Sequence, residues 1–143
     1  MSNHIHLLVK NESAGEGISK MMQGLGMVYA RYYKKNRRRT GHVFEDRFKH
    51  VWIETDAYLL ECGRYIERNP VRSKMVESAA DYKWSSYRHY GYGEGNFLIT
   101  SNLLYEGLGK SSLERQLAYR SYVQTPRAYE LIVDQYFKER VLV

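Results

Sequence analysis

Met1-Ser-Asn-His-Ile-His-Leu-Leu-Val9 is the stretch on which the reading of the fold turns. Ile5, Leu7, Leu8 and Val9 predict a β-strand, and His4 and His6, two residues apart on it, share one face. Ile5 then points the other way, into a core. Two imidazoles standing side by side can converge on one divalent metal ion. The same residues also fit a surface histidine next to a satisfied core histidine, and the stretch alone does not separate these readings.

Downstream, Lys10 to Gly17 carries the Asn, Ser and Gly punctuation of a loop. From Ile18 to about Asn36 the apolar residues Ile18, Met21, Met22, Leu25, Val28, Tyr29 and Tyr32 recur in steps of three and four, which predicts an amphipathic helix. Gly24 and Gly26 each weaken it by roughly 1 kcal/mol relative to Ala and suggest a close packing contact. Its end holds Arg31, Lys34, Lys35, Arg37, Arg38 and Arg39. Cations there suit the helix macrodipole, but six in nine residues exceed what a dipole needs and point to a polyanion.

Thr40-Gly41 ends that helix, and the alternation of Phe48, His50 and Trp52 with Lys49, Val51 and Ile53 predicts a second strand. Thr55 or Asp56 can cap a second helix, stopped at Asn69 because Pro70 disfavours helical geometry in the residue before it. Its stripe is Tyr58, Leu59, Cys62, Tyr65 and Ile66, so Tyr65 faces a core or a cleft. Beyond lie a connector to Asp81, a turn capped at Ser85 or Ser86, a glycine-rich loop over 90–96 and a short helix from Thr100 or Ser101 to Leu108. A helix from Ser111 breaks at Pro126 and is followed by Leu131, Ile132, Tyr136 and Phe137.

Composition narrows the function. The chain of 143 residues has 22 Lys and Arg against 16 Asp and Glu, a net charge of +6 that favours polyanions. A single cysteine, Cys62, rules out an intramolecular disulfide and a multi-thiolate zinc site, and fits a reducing compartment. No apolar run approaches the ~20 residues of a membrane span, and no signal peptide opens the chain, so a cytoplasmic protein without a membrane partner is expected. Fourteen tyrosines against four phenylalanines serve either base stacking or an amphipathic core.

Tyr65 and Asn69 are four apart on one helix face. If that face lies over the His4 and His6 segment, two imidazoles, an amide and a phenol meet. Such a set can hold a Lewis-acidic cation beside a tyrosine nucleophile, whose phenol is weak at its free pKa near ~10. Tyr65 as core and Asn69 as a helix end remain open.

The run from Met1 to Val9 resembles the HUH motif of Y1 transposases, and Arg64-Tyr-Ile-Glu-Arg-Asn-Pro-Val71 resembles their tyrosine helix. Gly41-His-Val-Phe-Glu-Asp-Arg-Phe-Lys49 and Tyr82-Lys-Trp-Ser-Ser-Tyr87 are similar to the REP-associated tyrosine transposase branch, related to the IS200/IS605 enzymes. The resemblance implies Tyr65 as nucleophile and His4, His6 and Asn69 as ligands of Mg2+ or Mn2+. It implies nicking and rejoining of single-stranded DNA beside a hairpin through a 5′-phosphotyrosine, and a nucleoid-associated bacterial setting. Arg37, Arg38, Arg39, Arg47 and Lys49 are then the candidates for phosphate contacts. The expected fold is α+β: an antiparallel sheet containing segments near 3–9 and 48–53, helices on one face in the ferredoxin-like HUH palm, and a C-terminal helical appendage. Residues 1–98 would be the catalytic domain and 99–143 the tail. The family's strand-helix-strand before the HUH strand is not part of this sequence, so the palm is expected to be N-terminally incomplete, and the edge it would pair needs cover. A homodimer exchanging tyrosine helices is compatible with the resemblance. The competing readings are a non-catalytic hairpin-binding or regulatory protein derived from a transposase, a water-using metal hydrolase and a purely structural protein.

Overall fold

The computed structural model describes residues 4–12, 17–38 and 40–125. Its elements in chain order are α1 (Gly17–Arg37), α2 (Asp56–Arg72), a single 3-10 turn (Ala79–Asp81), α3 (Tyr87–Tyr92), α4 (Leu103–Glu106) and α5 (Ser112–Gln124). Among the described residues there is no strand, which overturns the expected antiparallel sheet and its ferredoxin-like palm. A strand exists through its hydrogen-bonded ladder, and side-chain alternation specifies two faces without supplying the neighbour. Neither 4–12 nor 48–54 belongs to a ladder. Nor does their apolar set find a core: Ile5, expected to point inward, is 67% exposed and Trp52 is 61% exposed.

The chain divides into two compact units, residues 8–51 and residues 1–7 with 52–143. In the first, α1 forms over the predicted span, carries Lys34, Lys35 and Arg37 in its last turn, and buries no residue. Phe44 packs its ring 5.7 Å from that of Tyr29. A Cβ on Gly26 would meet the Phe44 ring at an ordinary 3.8 Å, and one on Gly24 would meet nothing, so the close contact expected there does not form.

The second unit is built on α2. Thr55 is its N-cap, accepting the Tyr58 N–H at 3.2 Å. The helix passes the predicted stop and runs through Pro70 to Arg72. It ends in a Schellman arrangement, with Lys74 N–H donating to the Val71 carbonyl and Met75 N–H to the Pro70 carbonyl, each at 2.9 Å. The 3-10 turn has a full capping box between Ser78 and Asp81, and α5 has one between Ser111 and Glu114. Asn102, one or two residues past the expected cap, starts α4.

Ala79, Tyr87, Tyr105, Tyr119 and Val123 form the buried cluster, with Val71, Tyr90, Leu108 and Tyr122 packed around it. The C-terminal helices are therefore not an appendage; they supply the core against which α2 rests. Position also decides the role of these tyrosines, which fill an interior and turn their hydroxyls to buried acceptors: Tyr105 donates to the Tyr90 carbonyl at 2.8 Å. The predicted break at Pro126 and the apolar positions beyond it lie outside the described residues. Among the described residues no helix is long and apolar enough to cross a membrane.

Candidate functional site

Tyr65, Asn69 and Arg72 fall at i, i+4 and i+7 on α2, one stripe of a 3.6-residue helix. Tyr65 and Asn69 are both buried. The short segment 4–7 belongs to the same unit and brings His6 to this stripe. The Asn69 side-chain nitrogen Nδ2 stands 3.2 Å from His6 Nε2. The Tyr65 and His6 rings meet edge to face with centroids 5.8 Å apart. His4 follows, its ring centroid 5.0 Å from that of His6 at an interplanar angle of 90°. The four residues singled out for chemistry, His4, His6, Tyr65 and Asn69, therefore come together.

Burial first, and the neighbouring His4 second, push the His6 pKa below its ordinary value. A neutral imidazole is the form that binds metals. Asn69 also accepts a hydrogen bond on Oδ1 from the Ser73 hydroxyl at 3.2 Å. Rotating its amide by half a turn exchanges Nδ2 for Oδ1 and offers His6's neighbourhood an oxygen donor instead. Two imidazoles with one amide oxygen fit a borderline cation such as Mn2+ better than Mg2+, which favours an all-oxygen shell. Among the described residues no three His, Cys, Asp or Glu side chains gather at one point, so the donor set here is two imidazoles and an amide.

Two features of the site were not anticipated. The Arg72 guanidinium lies over the Tyr65 ring, 5.2 Å from its centroid, on the exposed side of α2. A cation so placed is attracted by the negative face of the ring. Its sequence signal was the i+7 spacing from Tyr65. The second is that the motif residues between the site positions face elsewhere. Glu67, 1% exposed, accepts from the Ser86 hydroxyl at 2.6 Å and the Tyr119 hydroxyl at 2.8 Å. Burial pushes its carboxyl up to about 7 against the help of both hydroxyls. Arg64 and Arg68 reach backbone carbonyls at the end of α5.

The basic candidates belong to the other unit. Arg37 closes α1, Arg38 follows it with a left-handed φ of 48°, and Arg47 and Lys49 sit in the irregular segment after it, all four exposed. Arg39 lies outside the described residues.

The segment before the first helix thus sets His6, with His4 beside it, against a helix-borne tyrosine and asparagine. Residues 1–69, just under half of the chain, match the family described as Transposase IS200 like, and this stretch takes in all four site residues. No curated protein and no solved structure matches the chain.

Proposed function

We propose that this chain cleaves and rejoins single-stranded DNA beside a hairpin, with Tyr65 as the nucleophile. The observation that carries the reading is the convergence of His4, His6, Tyr65 and Asn69 inside the stretch that matches the transposase family. In the first step the Tyr65 oxygen bonds to phosphorus as the bond from phosphorus to the 3′-oxygen breaks. The phenol loses its proton and the departing oxygen gains one, leaving a 3′-hydroxyl and a 5′-phosphotyrosine. The ester conserves the energy of the phosphodiester, so attack by another 3′-hydroxyl rejoins strands without a nucleotide cofactor.

Each side chain has a share in this. Arg72, over the Tyr65 ring, stabilises the charge that develops on the phenol oxygen. The edge-to-face contact of Tyr65 with His6 orients the direction from which its oxygen approaches the phosphate. His4, His6 and Asn69 would hold a divalent ion, Mn2+ or Mg2+, which supplies Lewis-acid polarisation of the phosphoryl oxygens when bound. Arg37, Arg38, Arg39, Arg47 and Lys49 would bind DNA phosphates and make affinity fall with salt.

A denaturing gel of the chain with labelled hairpin-flanked single-stranded DNA and manganese tests the proposal. The expected result is a covalent adduct that vanishes in Tyr65→Phe and survives in Tyr58→Phe. Hairpin binding without an adduct would replace this reading with that of a regulatory DNA-binding protein.

A further inference from the structure

The last carbonyls of a helix have no partner within it and carry its partial negative charge. At the end of α5 two arginines of α2 take up that role. Arg64 Nε donates to the Tyr122 carbonyl at 3.0 Å, and its Nη2 donates to the Thr125 carbonyl. Arg68 Nη1 donates to the Val123 carbonyl at 2.9 Å and to the Gln124 carbonyl at 3.3 Å. Glu61, one turn before Arg64, pairs with it at 3.6 Å and accepts the Tyr122 hydroxyl at 2.8 Å. The Arg64 side chain is 0% exposed, and a charge buried so completely needs each of these acceptors.

Arg64 immediately precedes Tyr65 and Arg68 immediately precedes Asn69. One residue is about 100° of helix rotation, so the anchoring face and the site face are adjacent strips of one rigid rod. At a helix radius of roughly 5–6 Å, a 10° rotation about the axis moves a side-chain atom by about 1 Å. A misplacement of that size costs on the order of 100-fold in rate.

We propose that Arg64 and Arg68 are positioning residues for the nucleophile: by holding the carbonyl end of α5 they fix the rotation of α2, and with it the approach of Tyr65 and Asn69 to His6. The catalytic part of the proposal rests on the reading of Tyr65 given above. The anchoring partners, Tyr122 to Thr125, lie beyond the stretch that matches the transposase family. The last helix of this chain thus takes part in building its site.

The test separates position from stability and from DNA binding. Arg64 is wholly buried, so Arg68, half-buried, is the working position, and Arg68→Lys, which keeps a donor and the charge, is its conservative control. The intact chain is labelled with 3-fluorotyrosine and the Tyr65 resonance is assigned by its loss in Tyr65→Phe. His6→Ala shifts that resonance because the two rings touch. In Arg68→Ala the same change is expected to produce a much smaller shift, with Arg68→Lys recovering most of it. Adduct formation in Arg68→Ala is expected to slow by roughly 10- to 100-fold, while affinity for hairpin DNA stays within about twofold. A fluorine response in folded Arg68→Ala equal to that of the parent overturns the proposal, as does a loss of adduct that only tracks lost affinity. If the parent chain forms no adduct at all, the reading of Tyr65 as nucleophile fails, and the fluorine response still decides whether Arg68 sets its position.

Discussion

Tyr32 and Tyr87 are the same side chain in two different settings. On α1, in the unit of residues 8–51, Tyr32 is 64% exposed and no described residue of that unit is buried. Tyr87 on α3 is 1% exposed, with the Tyr119 ring 6.5 Å away by centroid and that of Tyr92 at 6.0 Å. Both helices present apolar residues, and α1 is the longer and more regularly patterned. The contrast shows that an amphipathic stripe is a local property and a core a tertiary one. In the unit of α2 to α5 several short elements bring their stripes to the same place, so even a six-residue helix such as α3 is held.

The largest expected effect tests that contrast directly. Tyr87→Ala removes a fully buried ring and should lower the stability of the α2 to α5 unit by about 3–5 kcal/mol. Tyr32→Ala should change it by no more than about 0.5 kcal/mol. Urea unfolding of the two variants reads the difference, and equal losses would mean that α1 contributes to the same cooperative core. A smaller effect comes from Glu67, whose carboxyl is pushed up to about 7 from 4.5 by burial. Below pH 4.5 the group is protonated in both states. Between 4.5 and 7 the unfolded chain ionises while the folded one keeps its proton, so the stabilisation is complete at the acid end and fades through the folded pKa. The loss across that window is on the order of 3 kcal/mol. Glu67→Gln should flatten it, a result visible in unfolding midpoints taken from pH 4.5 to 7.5. A wild-type profile as flat as that of the variant would show that Glu67 is not buried as a carboxyl between Ser86 and Tyr119.

How legible this was in the sequence depended on how far apart the partners stand. The cap of α2, narrowed to Thr55 or Asp56, the start of α5 near Ser111 and the span of α1 follow from neighbours within one turn, and they were readable. The face shared by Tyr65 and Asn69 was likewise fixed by their spacing, whereas the two histidines meet without the strand from which their shared face was expected. Strands were overread because alternation over 48–53 says nothing of whether a ladder partner exists. The core was underread because tyrosine is ambiguous between interior and surface until a second helix faces it. The anchoring roles of Arg64, Glu67 and Arg68 could not be seen, since their partners stand 58, 52 and 55 residues away. A motif containing Arg64-Tyr-Ile-Glu-Arg-Asn69 reads as one functional string, whereas the helix deals its members to two faces.

The smallest effect concerns how α1 and α2 end. Each helix is followed by a non-glycine residue in left-handed geometry, Arg38 with φ 48° and Lys74 with φ 54°. An L side chain there costs about 1–2 kcal/mol in repulsion with the following carbonyl, and glycine at the same position escapes it at some cost in unfolded-chain entropy. Lys74 is held in place by the Schellman pair of bonds and by the buried residues of α2 on one side and the capped turn at Ser78 on the other. Relief of strain at a position so firmly fixed is transmitted to the whole unit. Lys74→Gly should therefore stabilise it by about 0.5–1 kcal/mol. Arg38 ends a helix that buries nothing, so Arg38→Gly should leave the main unfolding midpoint where it is and change only the amide exchange of the last turn of α1. Hydrogen exchange of the two variants, read residue by residue, separates the outcomes. A gain spread over α2 to α5 from Arg38→Gly would break the contrast between the two units, because it would mean that the end of α1 is tied into the same cooperative structure as the tyrosine core.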